Sequence, residues 1–130
     1  MFRQVLELEE WSSRALVNWG RALCIRAELA QEPGMAAKLY QAALSKFEAV
    51  LEEDPGMVTA RYRAALAMAG LAESSNAQDA LLLLQNAAIY LQQVIGSTGP
   101  EAEGLRPSAT TALANCRQAL AAVTTQGTRS

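Results

Sequence analysis

Few side chains in this 130-residue chain have the types and spacing to do chemistry. Arg14, Asn18 and Arg21 stand at i, i+4 and i+7, so on a helix they share one face. Each arginine offers a planar fork of donors, and such a stripe could hold a peptide backbone or an acidic side chain. An ordinary solvated face is the competing reading. Glu52, Glu53 and Asp54 place three carboxylates in succession, but adjacent residues do not share a helical face, which makes them a poor acid–base pair. They also fall at the C-terminal end of a predicted helix, where the helix dipole disfavours negative charge, so a solvated helix end is the better reading. The chain has no histidine to act as a base, no GxSxG and no glycine-rich phosphate loop. Catalysis is therefore not expected. Cys24 and Cys116 are the two thiols, and neither has a CxxC neighbour, so no metal and no cofactor is expected. Both fall in apolar helical patterns and read as small core residues. A disulfide between them requires the last helical element to fold back onto the first, and a reduced, intracellular state is the default.

The elements that would position these residues are helical. Hydrophobic residues make up 51% of the chain and aromatic residues only 5%, with alanine supplying much of the apolar count. Alanine is the best helix former and lets helices approach closely, whereas a sheet domain would need more Val, Ile, Tyr and Phe. The spacing of Phe2, Val5, Leu6, Leu8 and Trp11 predicts helix. Ser12 or Ser13 could cap a new one, or the pattern could run straight through. A long helix from Arg14 to about Gln31 has Leu16, Trp19, Leu23, Ala27 and Ala30 on one face. Gly20 sits in its middle at a cost of about 1 kcal/mol relative to alanine, and the natural reason to keep it is close approach of a neighbouring helix. Glu32-Pro33-Gly34 breaks that helix. Met35 to Glu53 is predicted as the second, with Ala43, Phe47, Val50 and Leu51 inward and Asp54-Pro55-Gly56 ending it. The third runs from Met57 to Glu73, and Ser74-Ser75-Asn76 offers several caps. The fourth runs from Ala77 or Gln78 to Ile95. Gly96 to Pro100 reads as a loop, followed by a short acidic segment, Glu101 to Leu105. Pro107 or Ser108 then opens a last helix to about Thr124. Leu81 to Leu84 point in four directions round their helix, so at least one should stay exposed unless another helix or a partner covers it.

The chain is long enough for one domain with a modest core, expected over residues 1–124 with a frayed polar tail at 125–130. A net charge of −2, with no sizeable charged block, argues against nucleic acid as a partner. The longest uncharged stretch, Ala80 to Thr98, holds Gln85, Asn86, Gln92 and Gln93 and is too polar to span a membrane. Acidic residues within the first ten positions are unlike a signal or transit peptide, so no targeting signal is expected in this chain.

A shift of 44 residues lays Ala43 on Ala87, Phe47 on Leu91, Val50 on Val94 and Pro55 on Gly99. A shift of 45 lays Gly20 on Ala65, Ala27 on Ala72 and Glu28 on Glu73. Two helical hairpins of similar size, stacked in sequence, would produce this. The pattern resembles the tetratricopeptide repeat family, in which a small residue, an aromatic and a closing proline mark the second helix. Ala43, Phe47, Val50 and Pro55 match that half, and Gly20 matches the small residue of the first helix. The family unit is about 34 residues, and here each unit is about ten longer. That long-helix variant resembles the plant-type mitochondrial import receptors over roughly Leu16 to Ile95. The resemblance implies an all-α, right-handed stack of two long antiparallel hairpins with a C-terminal capping helix.

In that family the first helix of each hairpin lines a concave groove. The resemblance therefore implies a partner-binding groove at Arg14, Asn18 and Arg21, with Tyr62 and Leu66 in similar positions on the second such helix. The expected function is non-enzymatic binding of another protein or peptide, in organellar protein import or complex assembly, with a mitochondrial or plastid location. The alternative is a permanent structural subunit of a larger organellar assembly, since two repeats are few for independent stability.

Overall fold

No glycine or proline lies near Ser12 and Ser13, and α1 runs without a break from Phe2 to Leu29 in the computed structural model. The structure describes the backbone of residues 2–129 and the side chains of residues 13–125 other than Pro33. Of the two readings at the serine pair, the continuous helix holds. Serine competes only weakly with the helical ladder and does not end it alone. Four more helices follow: α2, Pro33–Glu53; α3, Val58–Glu73; α4, Ala77–Gly96; and α5, Pro100–Arg129. No strand occurs among the described residues, so the chain is all-α. Each helix packs on the next in sequence, and α3 also touches α1 and α5, an arrangement consistent with a helical stack.

The helix ends follow local chemistry. Pro33 takes the first helical position of α2, where its missing N–H is no loss. Asp54 closes that helix by donating its N–H to the Val50 carbonyl at 2.8 Å, and its Oδ1 accepts the Gly56 N–H at 3.2 Å. Of the three candidate caps before α4, Asn76 is the one used. Its Oδ1 accepts the Asp79 N–H at 2.8 Å, while the Ser75 hydroxyl turns back to donate to the Leu71 carbonyl.

The last helix corrects the sequence reading. No separate acidic segment precedes a helix opening at Pro107 or Ser108. Only Ser97 to Gly99 separate α4 from α5, and Pro107 lies inside α5. Gly99 turns the chain at φ +109°, which a side chain would resist. Pro100 then suits the first helical position, and Glu101 and Glu103 suit the positive end of the dipole. An interior proline costs about 3 kcal/mol in an isolated helix, and tertiary contacts oppose that cost here. Ala102 and Ala109 are fully buried on either side. Arg106 donates from Nε to the Ile95 carbonyl at 3.1 Å and from a terminal nitrogen to the Ser97 carbonyl at 3.0 Å, tying α5 to the end of α4.

The core has two parts, joined by α3. One gathers Val17 and Leu23 of α1, Ala43, Phe47 and Val50 of α2, and Ala60, Ala64 and Ala67 of α3. The other gathers Tyr62, Ala65, Met68 and Ala72 of α3 with Leu84, Ala87, Leu91 and Val94 of α4 and Ala109, Leu113 and Cys116 of α5. Helix α3 is thus buried on two faces, which is why alanine dominates it: small side chains let a helix be flanked on both sides. The two triplets related by the 44-residue shift are buried alike. Gly20 explains itself in the first part, since a Cβ there would stand 2.6 Å from the Phe47 ring. Of the leucine ridge, Leu84 is buried, Leu81 and Leu83 are half-buried, and Leu82 is 60% exposed.

Candidate functional site

Between α3 and α5 a cleft of about 730 Å³ opens over α4. Its α3 wall carries Leu66, Ala69, Gly70 and Glu73, and its α5 wall carries Ala112, Asn115, Cys116, Ala119 and Val123. Ala80, Leu84 and Leu91 of α4 lie beneath. These positions recur at helical spacing on each wall, so the same periodicity that builds the core also builds the cleft. Small residues keep it open: alanine on both walls leaves room that larger side chains would fill.

At the far edge stand Glu28 of α1 and Tyr40 of α2. The Tyr40 ring lies over Gly70, where a Cβ would collide with it. That close approach brings the phenol between the ends of α1 and α3. Its pKa is raised above the ordinary value, first by burial and then by Glu28, Cys24 and Glu73 in that order. The Cys24 thiol, one turn before Glu28, is pushed up to about 11 by burial and by Glu28, against the opposing pull of Arg63. Burial alone pushes the Cys116 thiol up. Both cysteines are therefore protonated thiols near neutral pH, with little nucleophilic character. Among the described residues α1 and α5 share no packing and both thiols are free, so the fold-back that a Cys24–Cys116 bridge requires is not present.

The residues predicted from sequence are distributed differently from one another. Leu66 lines the cleft. Tyr62, one turn earlier, is buried in the core at 9% exposure, with the Arg63 guanidinium 5.5 Å from its ring centre, so its face is not open to a partner. Arg14, Asn18 and Arg21 are exposed on α1 and do not line the cleft. Sequence reasoning missed Glu28, Tyr40, Glu73, Asn115 and Cys116 as site residues. A signal for two of them was present: Glu28 and Glu73 coincide under the 45-residue shift, and here they converge on one phenol. The α5 wall had no such signal.

A smaller recess of about 350 Å³ lies between α2 and α4, lined by Glu48, Leu51, Glu52, Arg61 and Tyr90. Its cation is already engaged. Arg61 donates to Gln93 Oε1 and to the Pro55 carbonyl, both at 2.6 Å, and lies 5.2 Å from the Tyr90 ring centre. This recess secures the scaffold. Among the described residues no three His, Cys, Asp or Glu side chains gather as a metal site, and no helix is long and apolar enough to cross a membrane. Compared with known proteins, the chain matches no family model, no curated protein and no solved structure at a significant level.

Proposed function

We propose that this chain is a non-enzymatic protein–protein interaction module that takes a peptide or partner helix into the cleft between α3 and α5. The architecture in this reading is a tetratricopeptide-like right-handed stack of two antiparallel hairpins, α1–α2 and α3–α4, with α5 as the cap. The observation that carries the reading is the cleft itself: an apolar, alanine-walled opening edged by two carboxylates and a phenol. Its titratable groups are Glu28, Tyr40, Glu73 and Cys116, with no histidine among them, and burial raises the pKa of both the phenol and the Cys116 thiol. The resemblance to import receptors suggests organellar protein import or complex assembly as the setting.

Capture from extract of the native cell, compared with a cleft-filled variant, tests this. Ala69→Trp with Ala119→Trp places bulk on both walls. Partners held by the wild type should be lost by that variant, with helical circular dichroism unchanged. An identical set of partners on both baits would sink the cleft reading. Arg14→Ala with Arg21→Ala, run beside it, reports whether the exposed arginine stripe on α1 takes part.

A second reading, a permanent subunit of a larger assembly, is favoured by exposed apolar side chains. Ile25, Leu29 and Met35 are 54%, 76% and 49% exposed around the α1–α2 junction. Sedimentation decides it: a clean monomer with one cooperative melt counts against an obligate subunit.

A further inference from the structure

Charge is segregated along the helices that edge the cleft. On α3, Arg63, Leu66, Gly70 and Glu73 stand at i, i+3, i+7 and i+10 and share one stripe. The last three line the cleft; Arg63, one turn before Leu66 on the same stripe, does not. On α1, Arg14, Arg21 and Glu28 recur every seven residues, about two turns, and the stripe ends at the cleft edge with Glu28. In both helices the arginines come first and the glutamate last. The two stripes run in the same direction: Glu28 and Glu73 both line the cleft beside Tyr40, and the charge of Arg63 reaches Cys24, one turn before Glu28. At 1.5 Å rise per residue, Arg63 and Glu73 lie about 15 Å apart along the axis.

At the basic end the Arg63 guanidinium lies 5.5 Å from the Tyr62 ring centre, while its Nε is buried and has no hydrogen-bond partner, in contrast to Arg61, two residues earlier, whose terminal nitrogens are both engaged. The Arg63 side chain as a whole is half-buried, so its guanidinium charge can still be met by a carboxylate from outside. The acidic end has no lysine or arginine among the residues lining the cleft. The cleft walls are helices whose backbone groups are already bonded within each helix. They offer no ladder to an extended strand, whereas a helical partner satisfies its own backbone.

Building on the reading of the cleft as a protein-binding groove, we propose that its occupant is an apolar helical segment bearing an acidic side chain and, about ten residues away, a basic one. The acid pairs with Arg63 and the base lies between Glu28 and Glu73. The charges fix the direction of docking, and the apolar face supplies the contact with Leu66 and the alanine walls.

Fluorescence anisotropy with four end-capped, dye-labelled leucine–alanine helical peptides tests this. They carry, at positions ten apart, Asp and Lys, Asp and Asp, Lys and Lys, or Asn and Gln. The Asp/Lys peptide should bind about fivefold more tightly than any of the other three, with the advantage shrinking as salt rises. In Glu28→Lys/Glu73→Lys the Asp/Asp peptide should become the tightest, and in Arg63→Glu the Lys/Lys peptide should. Glu28 and Glu73 are exposed, so the first variant keeps the fold; should Arg63→Glu unfold the chain, the glutamate variant decides alone. Four peptides that bind alike, or a ranking unmoved by the glutamate variant, would overturn the charge assignment and leave the groove standing. No binding by any of the four to the wild type would overturn both.

Discussion

In the first half of the molecule, α2 sets Ala43, Phe47 and Val50 into the core, and the phenyl ring fills the space left by Gly20 of α1. In the second half, Ala87, Leu91 and Val94 of α4 take the same places, and Ala65 of α3 stands where the glycine would be. Volume is traded between partners: ring against glycine, leucine against alanine. The two exchanges keep the layers packed, yet they differ in consequence. Phe47 is sealed on all sides, whereas Leu91, equally buried, lies beneath the cleft that opens between α3 and α5. One half therefore serves as the tighter support, and the other carries the accessible surface.

Truncation separates the halves most strongly. Phe47→Ala should cost about 3–5 kcal/mol in urea unfolding, since a rigid, sealed site cannot collapse round the void. Leu91→Ala should cost less, toward the low end of about 2–5 kcal/mol, because side chains bordering the adjoining cleft have room to relax into the void. Equal losses would show that the cleft does not soften its floor.

The two crowded glycines give the next largest contrast. Gly20→Ala pushes a methyl group into the buried Phe47 ring and should destabilise by about 1–3 kcal/mol. Gly70→Ala meets Tyr40, a half-exposed side chain at the cleft edge that can swing aside. Its loss should stay below about 1 kcal/mol, with a change in tyrosine fluorescence as the ring moves. A Gly70→Ala variant as damaged as Gly20→Ala would mean that the cleft edge is as rigid as the core.

The smallest effect distinguishes the thiols. Cys24 is raised from 9.0 to about 11 in the folded chain, so the native state holds its proton more tightly. The stability linked to that neutral thiol is complete below pH 9 and is lost as pH climbs toward 11. Cys24→Ala should flatten the alkaline decline in urea midpoint over that window. Because Glu28 contributes to the Cys24 shift while burial alone raises Cys116, added salt should narrow the first and leave the second unchanged when each thiol is titrated.

Much of this was legible in the residues. Ala43, Phe47 and Val50 announce a buried face by spacing alone, and Asp54-Pro55-Gly56 announces its end. Gly20 announces a close neighbour, and Phe47 is that neighbour. The candidate site was less so. Leu66, expected in a groove with Arg14, Asn18 and Arg21, lines a cleft that none of those three reaches, and Tyr62 read as an exposed binding residue because a tyrosine one turn away on a helix cannot be told from a core residue without knowing what packs against it. The first turns of α5, from Pro100 to Arg106, were hidden by Pro107. Local propensity makes proline a helix start, and only the burial of Ala102 and the bonds from Arg106 to α4 carry the helix through it.

The sequence by itself determined the helices, most of their ends and much of their inward faces, because these depend on neighbours within four residues along the chain; Trp19, grouped with Leu23 and Ala27, is nonetheless 54% exposed. The tertiary structure alone decided that α3 is shared by two cores, that α5 begins at Pro100, and that Glu28, Tyr40 and Glu73 meet at one edge. Those depend on how far apart two helices settle, and that distance is set by pairs of side chains distant in sequence, such as Gly20 with Phe47 and Gly70 with Tyr40.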